Sequence, residues 1–300
     1  MNETVRVTVP CSTSNLGAGF DCIGLAFDRH LTATLRPGAS GLQLERSGTL
    51  AELHDDANDI VARVLRDQLP DVAGILELES TIPVGKGLGS SAAASVAALA
   101  LSATLRDRDF DFDDALQAAT ALEGHPDNAA PSLLGGLVGV VPHGTRVRAI
   151  QLYLSEEIAF VYAAPQALVS TRAARKALPE HVKHAAATRT VARVVALIEG
   201  LAEADPDLLR AGFNDELHVP YRIGMIPGGQ AALSAAMESG AWAATISGSG
   251  SGLIAVCEHR VKESVLAAMA GAFESATGHS AIAFIANPDF IGTRVERVNG

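Results

Sequence analysis

Hydrophobic and polar positions along the first hundred residues switch repeatedly between two periods. Val5, Val7 and Val9 alternate with Arg6 and Thr8, the period of a half-buried strand made from β-branched residues. Residues 11–21 interrupt that alternation with a loop rich in hydroxyls and glycines. Apolar runs at 23–27 and 31–35 predict two more strands. Over 58–69 the spacing becomes helical, with Ile60, Val61, Val64 and Leu65 on one face, and residues 75–82 alternate again. An alanine-rich stretch at 91–105 predicts a buried helix. It is shorter than the ~20 apolar residues that span a bilayer, and it carries Ser95, Ser102 and Thr104.

The pattern continues in the same mixed manner. Helices are predicted from 113 or 114 to about 123, at 170–178 with Ser170 as N-cap, and at 182–201, 227–239 and 262–276. Strands are predicted at 158–164 and 281–285 and at the end of the glycine-punctuated run 133–141. Residues 243–256 read as strand, loop and strand around Ser247-Gly248-Ser249-Gly250-Ser251-Gly252. There is no repeat, no low-complexity linker and no strict βαβ rhythm, so an α+β fold is favoured over a doubly wound sheet. Three hundred residues suit one large domain or two intimate ones. A boundary near 155 divides the chain into 1–155 and 156–300, although composition does not mark it.

The strongest chemical signal is Pro83-Val84-Gly85-Lys86-Gly87-Leu88-Gly89-Ser90-Ser91, placed between a strand and the alanine-rich helix. Glycines at alternate positions let the backbone turn its N–H groups inward without Cβ obstruction. A helix starting near Ser90 adds unpaired N–H groups and a favourable dipole, so the loop suits a polyphosphate. The alternative reading is a plain strand–helix turn. It is not a Walker A loop, because the lysine precedes the last glycine, and its glycine spacing is not that of a Rossmann fingerprint.

Bulk properties narrow the partners. Hydrophobic residues make up 48% and charged residues 19%, enough apolar material for a sizeable core. A net charge of −11 repels phosphate backbones, so nucleic acid is not expected as a partner. Cys11, Cys22 and Cys257 form no C-x-x-C pair, and His181 and His184 lack a third ligand, so neither a zinc site nor a disulfide framework is expected. Residues 1–10 have no apolar segment of the secretory kind. A cytoplasmic protein with no membrane partner is the expectation. Gly248-Ser249-Gly250 lacks the spacing of a hydrolase nucleophile elbow.

Four segments together carry a family resemblance. Pro83-x3-Gly87-Leu88-Gly89-Ser90-Ser91-Ala92-Ala93 resembles the phosphate loop of the GHMP kinases, the family of galactokinase, homoserine kinase, mevalonate kinase and phosphomevalonate kinase. Residues 10–25, with Ser12, Ser14-Asn15-Leu16-Gly17-x-Gly19-Phe20-Asp21 and Gly24-Leu25, resemble the family's first motif in its homoserine kinase form. Ile246-Ser247-Gly248-Ser249-Gly250 resembles the third motif. Glu123-Gly124-His125-Pro126-Asp127-Asn128-x2-Pro131 is similar to a signature of the homoserine kinase branch. The four occur in the family's order and cover nearly the whole chain.

That resemblance implies a two-domain GHMP kinase fold. Its N-terminal domain would be like ribosomal protein S5 domain 2 and its C-terminal domain ferredoxin-like, with ATP and L-homoserine meeting between them. The implied reaction is phosphorylation of the homoserine side-chain hydroxyl, a step towards threonine. By resemblance, residues 83–93 (Pro83 and Val84 through Ala92 and Ala93) bind ATP, and Lys86 assists at the phosphates, although a lysine in an exposed turn is usually just solvated. Asn58 packs near the adenine; it also stands where a helix N-cap would fall. Glu123 ligates Mg²⁺ with Ser90 or Ser91, an oxygen set that suits the ion; without the family it would read as a solvated helix-end glutamate. Asn15, Asp21, His125, Asp127 and Thr171 match positions that contact the substrate. Asp21 alone would read as a residue closing an Asx turn, and His125-Pro126-Asp127 as a helix stop. Arg175 and Arg222 match a bidentate clamp on its carboxylate, with Arg172 a rival for Arg175.

Two questions stay open at the level of sequence. Asp21 or Asp127 could take the hydroxyl proton, or the γ-phosphate could accept it directly. A GHMP kinase for another small alcohol (threonine, mevalonate or a sugar), or a silent nucleotide-binding sensor, would share the fold. The arginine pair and the Glu123–Asn128 run favour an amino acid, and the retained charged positions speak against a sensor. Dimers are common in the family, and a homodimer is compatible with the sequence. The chain departs from the family at Ser251, where proline is usual, which predicts a more flexible third motif. It departs again at Cys11, a small-for-small change.

Overall fold

The computed structural model of the chain describes residues 3–39, 41–54 and 56–298. A first sheet is built from β1 (Thr4–Asn15), β2 (Gly19–Pro37), β3 (Leu42–Gly48), β4 (Gly74–Ser80), β5 (Leu137–His143) and β6 (Arg146–Leu152). β1 pairs with β2, β2 with β4 and β4 with β3, while β5 joins the opening stretch of β2 and carries β6. All these pairs are antiparallel except β3 with β4. Helices α1 (Ile60–Gln68), α2 (Ser90–Leu105), α3 (Phe112–Glu123) and α4 (Ala129–Leu134) accompany the sheet. The alanine-rich α2 touches β1 and β2 as well as all three other helices. It buries residues around its whole circumference, which small side chains permit.

The second half begins with β7 (Ile158–Ala164), then α5 (Thr171–Lys176), α6 (His184–Glu203), α7 (Pro206–Phe213), α8 (Val219–Arg222), and α9 (Gly229–Glu238). β8 (Ala243–Ile246), β9 (Leu253–Glu258), α10 (Lys262–Thr277) and β10 (Ile282–Ala286) complete it. Its sheet has the order β10-β7-β9-β8 with antiparallel neighbours, the ferredoxin-like arrangement. The sheets change between β6 and β7. One element departs from a single cut there: β11 (Arg294–Val298) returns to the first sheet and pairs antiparallel with β1. Among the described residues no helix is long and apolar enough to cross a membrane.

The two strands expected at 23–27 and 31–35 are one continuous strand, β2. Polar Asp28, Arg29 and His30 look like a break in the sequence. In the sheet they mark a change of partner: residues 23–25 pair with β5, and residues 31–37 pair with β4. A register shift between Pro10 and Cys11 of β1 absorbs the bend. The helix expected from residue 58 starts at Ile60, because Asp59 rather than Asn58 is its N-cap, accepting from the Ala62 N–H at 2.9 Å. Ser170 caps α5 as expected, accepting from the Ala173 N–H at 3.1 Å.

Candidate active site

A cavity of about 770 Å³ lies where the two halves meet. Its wall includes residues from the first motif, the phosphate loop, the 123–128 run, α5, α8 and the third motif. Segments far apart in the chain are joined there by direct hydrogen bonds. The Asn15 side-chain N–H donates to the Gly248 carbonyl at 2.7 Å, and the Ser247 hydroxyl donates to the Gly87 carbonyl at 2.7 Å.

The glycine loop is held by close backbone approach. Gly87 has φ +75, and a Cβ there would fall 2.0 Å from the Ser247 carbonyl oxygen. Gly89, the N-cap of α2, has φ +61, and a Cβ there would fall 2.6 Å from Ser12 Oγ. Only glycine satisfies both the sign of φ and the lack of space. The result is a tight turn opening onto the N-terminus of a sixteen-residue helix, with Ser90 and Ser91 on its first turn. Val84 to Ala92 line the cavity; Pro83 and Ala93 are buried and stand outside its wall.

The Lys86 expectation is corrected. Its ammonium donates to the carbonyls of Pro165, Gln166 and Ala167 at 2.8, 2.6 and 2.7 Å. An ammonium has three donors, so none remains for a phosphate. Burial also pulls its pKa below the usual lysine value. Nor is the third motif loosened by Ser251. That residue is fully buried, and its hydroxyl donates to Ala167 O at 2.7 Å, fixing the loop through a side-chain bond that proline could not make.

Beyond the loop the wall carries an apolar set, Leu50, Leu53, Ile60, Leu78 and Leu122. Leu53 and Leu122 are exposed there, 44% and 46%, as suits a wall awaiting a flat base. Asn58 lies in the same wall. Arg46, which the sequence reading passed over, ties this segment down. Its guanidinium donates to the Leu53 carbonyl at 3.2 Å, to Asp56 at 2.5 Å and to Asp59 at 3.0 Å.

Glu123 sits at the C-terminus of α3 and reaches α2. Its Oε1 accepts from Ser91 Oγ at 2.8 Å and Ser95 Oγ at 2.7 Å. Ser95 was missed in the sequence, where its i, i+4 spacing from Ser91 was the available signal. Among the described residues no group of three or more His, Cys, Asp or Glu side chains could hold a metal ion. A single carboxylate with neighbouring hydroxyls is nonetheless the donor set Mg²⁺ uses when phosphates and waters complete its shell. Glu123 presents that carboxylate with the Ser91 and Ser95 hydroxyls beside it, and Ser90 lines the same cavity.

The other end of the cavity is charged. Arg175 on α5 and Asp21 on β2 form a two-bond pair across the halves, Nη1 to Oδ2 at 3.1 Å and Nη2 to Oδ1 at 2.9 Å. That hydrogen bond holds the guanidinium pKa above its usual range, against the effect of burial. Asn15 Oδ1 accepts from the Asp21 N–H at 2.9 Å, so both ends of the Asn15 amide are engaged in placing Asp21 against the third motif. Asp127 is buried, and its Oδ1 bonds His125 Nδ1 at 2.8 Å. That bond raises the His125 pKa, with burial opposing it. Arg222 is 2% exposed, donates from Nε to Ala174 O at 3.2 Å and lies 5.1 Å from the Phe20 ring centroid. Burial, then the charge of Arg175, push its pKa down.

Thr171 joins this wall, its hydroxyl 3.1 Å from Ser249 Oγ. Arg172 is exposed and lies outside the wall, which leaves Arg175 and Arg222 as the cavity's arginines at this end. Asn128, not singled out in the sequence beyond its motif, bonds Ser12 and Ser14 and welds the 123–128 run to the first motif.

An anion cradle, a hard-oxygen cation site and a zwitterionic end within one interdomain cavity define a small-molecule kinase. The chain belongs to the GHMP kinase family: residues 57–136 match the model of the GHMP kinase N-terminal domain, and residues 197–275 that of the C-terminal domain. Among similar proteins, the homoserine kinase of Moorella thermoacetica is 38% identical over 89% of this chain and 92% of its own length. A homoserine kinase from a Synechococcus strain is 35% identical over 92% and 91% respectively. The crystal structure of homoserine kinase from Cytophaga hutchinsonii superposes with a TM-score of 0.86 at 27% identity, covering 99% of this chain and 98% of that one.

Proposed function

We propose that this chain phosphorylates the side-chain hydroxyl of L-homoserine with Mg-ATP. The observation that carries the reading is the charged end of the cavity. Arg175, Arg222, Asp21, Asp127 and His125 converge at one side of the phosphate loop, a set matched to a small zwitterion and not to a neutral sugar. The likeness to homoserine kinases along nearly their full length supports it.

Each side chain then has a job that follows from its geometry. N–H groups of the loop and of the first turn of α2 hold the phosphates. Arg222 offers a guanidinium to the substrate carboxylate, and Arg175 still has N–H donors after two are spent on Asp21. Asp21 and Asp127 accept from the ammonium and the hydroxyl. Asp21 is poorly placed as a base, because the Arg175 fork already occupies both of its oxygens. The hydroxyl proton therefore passes to Asp127 or directly to the transferred phosphoryl group. Glu123 and Ser90 would hold Mg²⁺, which would supply charge neutralisation at the phosphates. Catalysis on this reading is positioning and electrostatics.

The test is ADP release with Mg-ATP against L-homoserine, L-threonine, L-serine, mevalonate and galactose. Strong turnover with L-homoserine alone is expected. Turnover with another member would keep the kinase and overturn the substrate. ATP binding without turnover would point to a sensor.

A further inference from the structure

Lys86 lies in the phosphate loop of the first half, yet its ammonium is wrapped by three carbonyls of the second half. Those carbonyls belong to the connection between β7 and α5. The junction is closed from both sides. At the end of β7, the Tyr162 hydroxyl donates to the Lys86 carbonyl at 2.5 Å. Ser251, from the third motif, donates to Ala167 O, one of the three carbonyls around the ammonium. Ser170 caps α5 three residues after Ala167, and Thr171 and Arg175 on that short helix face the cavity.

Among the described residues no carboxylate shares this contact; its partners are carbonyls. Three successive carbonyls reach one nitrogen only if the chain at 165–167 curls around it, and that curl sets where α5 begins. A six-residue helix has little hydrogen bonding of its own to hold its place. Besides burial of Ala174 and its contacts to Ser249 and Arg222, its position comes from this junction at its start and from the Asp21 pair at its far end.

We propose that Lys86 is a positioning residue that ties the phosphate loop to α5, so that ordering of the loop by nucleotide sets Thr171 and Arg175 for the alcohol substrate. This rests on the reading of the cavity given above and adds a thermodynamic consequence. Nucleotide and amino acid each tighten the other's binding, and the tightening runs through Lys86.

The experiment compares full-length wild type with Lys86→Met, Lys86→Arg and Ser251→Ala. The first readout is hydrogen exchange over residues 166–177 without ligand. It is expected to accelerate about tenfold in Lys86→Met and less in Ser251→Ala, while Lys86→Arg, which keeps donors at the junction, stays nearer wild type. The second is the Kd of L-homoserine with and without a non-hydrolysable ATP analogue and Mg²⁺. Wild type is expected to show tightening of at least about fivefold, and Lys86→Met to lose it, with the ATP KM changed less than about threefold. Unchanged exchange over 166–177 would overturn the proposal. So would an ATP KM that rises alone, which would make Lys86 a phosphate ligand. Should Lys86→Met fail to fold, Ser251→Ala carries both readouts. Absence of homoserine turnover in wild type would sink the substrate reading, and the exchange result would still decide the role of Lys86.

Discussion

The two ends of the cavity are built from different materials. At the nucleotide end the functional groups are backbone N–H groups, and side chains mostly serve to bend or brace the loop. Glycine appears there because carbonyls and hydroxyls press against it, and the loop's own cation, Lys86, is turned into a strut. At the substrate end the functional groups are charged side chains drawn from β2, the 123–128 run, α5 and α8, and four of them are already paired, Asp21 with Arg175 and Asp127 with His125. The contrast follows from the ligands. A polyphosphate presents the same anionic oxygens whatever alcohol is being phosphorylated, and a loop of N–H groups matches them. An amino acid must be told apart from other small alcohols, which takes a carboxylate clamp and an ammonium acceptor placed to fit.

The sharpest way to break this contrast is Gly87→Ala. The added methyl would sit 2.0 Å from the Ser247 carbonyl at a φ of +75, so the loop must shift. A displacement of about 1 Å at the phosphates is expected to lower kcat/KM by at least ~10²-fold. Circular dichroism would verify that the fold survives. Near-normal turnover would show that backbone placement is not what the nucleotide end depends on.

Arg222→Ala attacks the other end. Removing one partner of a buried, hydrogen-bonded charge contact costs roughly 2–5 kcal/mol. The homoserine KM is therefore expected to rise by about 10²-fold or more, with the ATP KM within about threefold. Thermal melting will also drop, since Arg222 is a packed side chain bonded to Ala174. Arg222→Lys separates the two effects, because it keeps charge and bulk and loses the fork. Equal rises in both KM values would remove Arg222 from the clamp.

How much of each end was legible in the sequence follows the same division. A backbone site announces itself through residues that only a special backbone needs, so the alternate glycines and paired serines at 85–91 were readable alone. The side-chain end was not. Asp21, Asp127, Arg175 and Arg222 are ordinary residues until folding brings them together, and only the family resemblance nominated them. Lys86 shows the converse, since its place in a phosphate loop suggests a phosphate contact while its ammonium meets carbonyls. Its partners in the structure are three carbonyls some eighty residues away, and carbonyls leave no mark in a sequence. In the fold, the core elements α2, β7 and β9 showed their burial plainly. The edge strands β3 and β6 and the returning β11 were overlooked, because half-exposed strands of mixed polarity look like loops.

A smaller effect is expected where the two ends touch through the metal. Glu123→Gln keeps the shape that accepts from Ser91 and Ser95 and removes the charge. The Mg²⁺ concentration for half-maximal activity is expected to rise about tenfold, with the homoserine KM little changed. An unmoved Mg²⁺ curve would assign Glu123 to bracing α2 against α3 and leave the cation to the phosphates.

The smallest effect tests whether the charges at the substrate end are paired before any ligand arrives. The His125 pKa is raised above its ordinary value by the bond to Asp127. A histidine whose folded pKa exceeds its unfolded one stabilises the fold fully below the unfolded value and loses that contribution as pH rises through the folded value. Unfolding free energy should therefore decline with pH in the window that begins near 6.5 and ends above the raised pKa. One proton limits the slope to about 1.4 kcal/mol per pH unit. His125→Asn has no titrating ring, so the difference between its urea unfolding curve and that of wild type should shrink as pH is raised across the window. A difference that stays constant would mean the imidazole is bound equally well without its proton. The pair with Asp127 would then be a neutral hydrogen bond, and the substrate end would hold one fewer preformed charge than the structure implies.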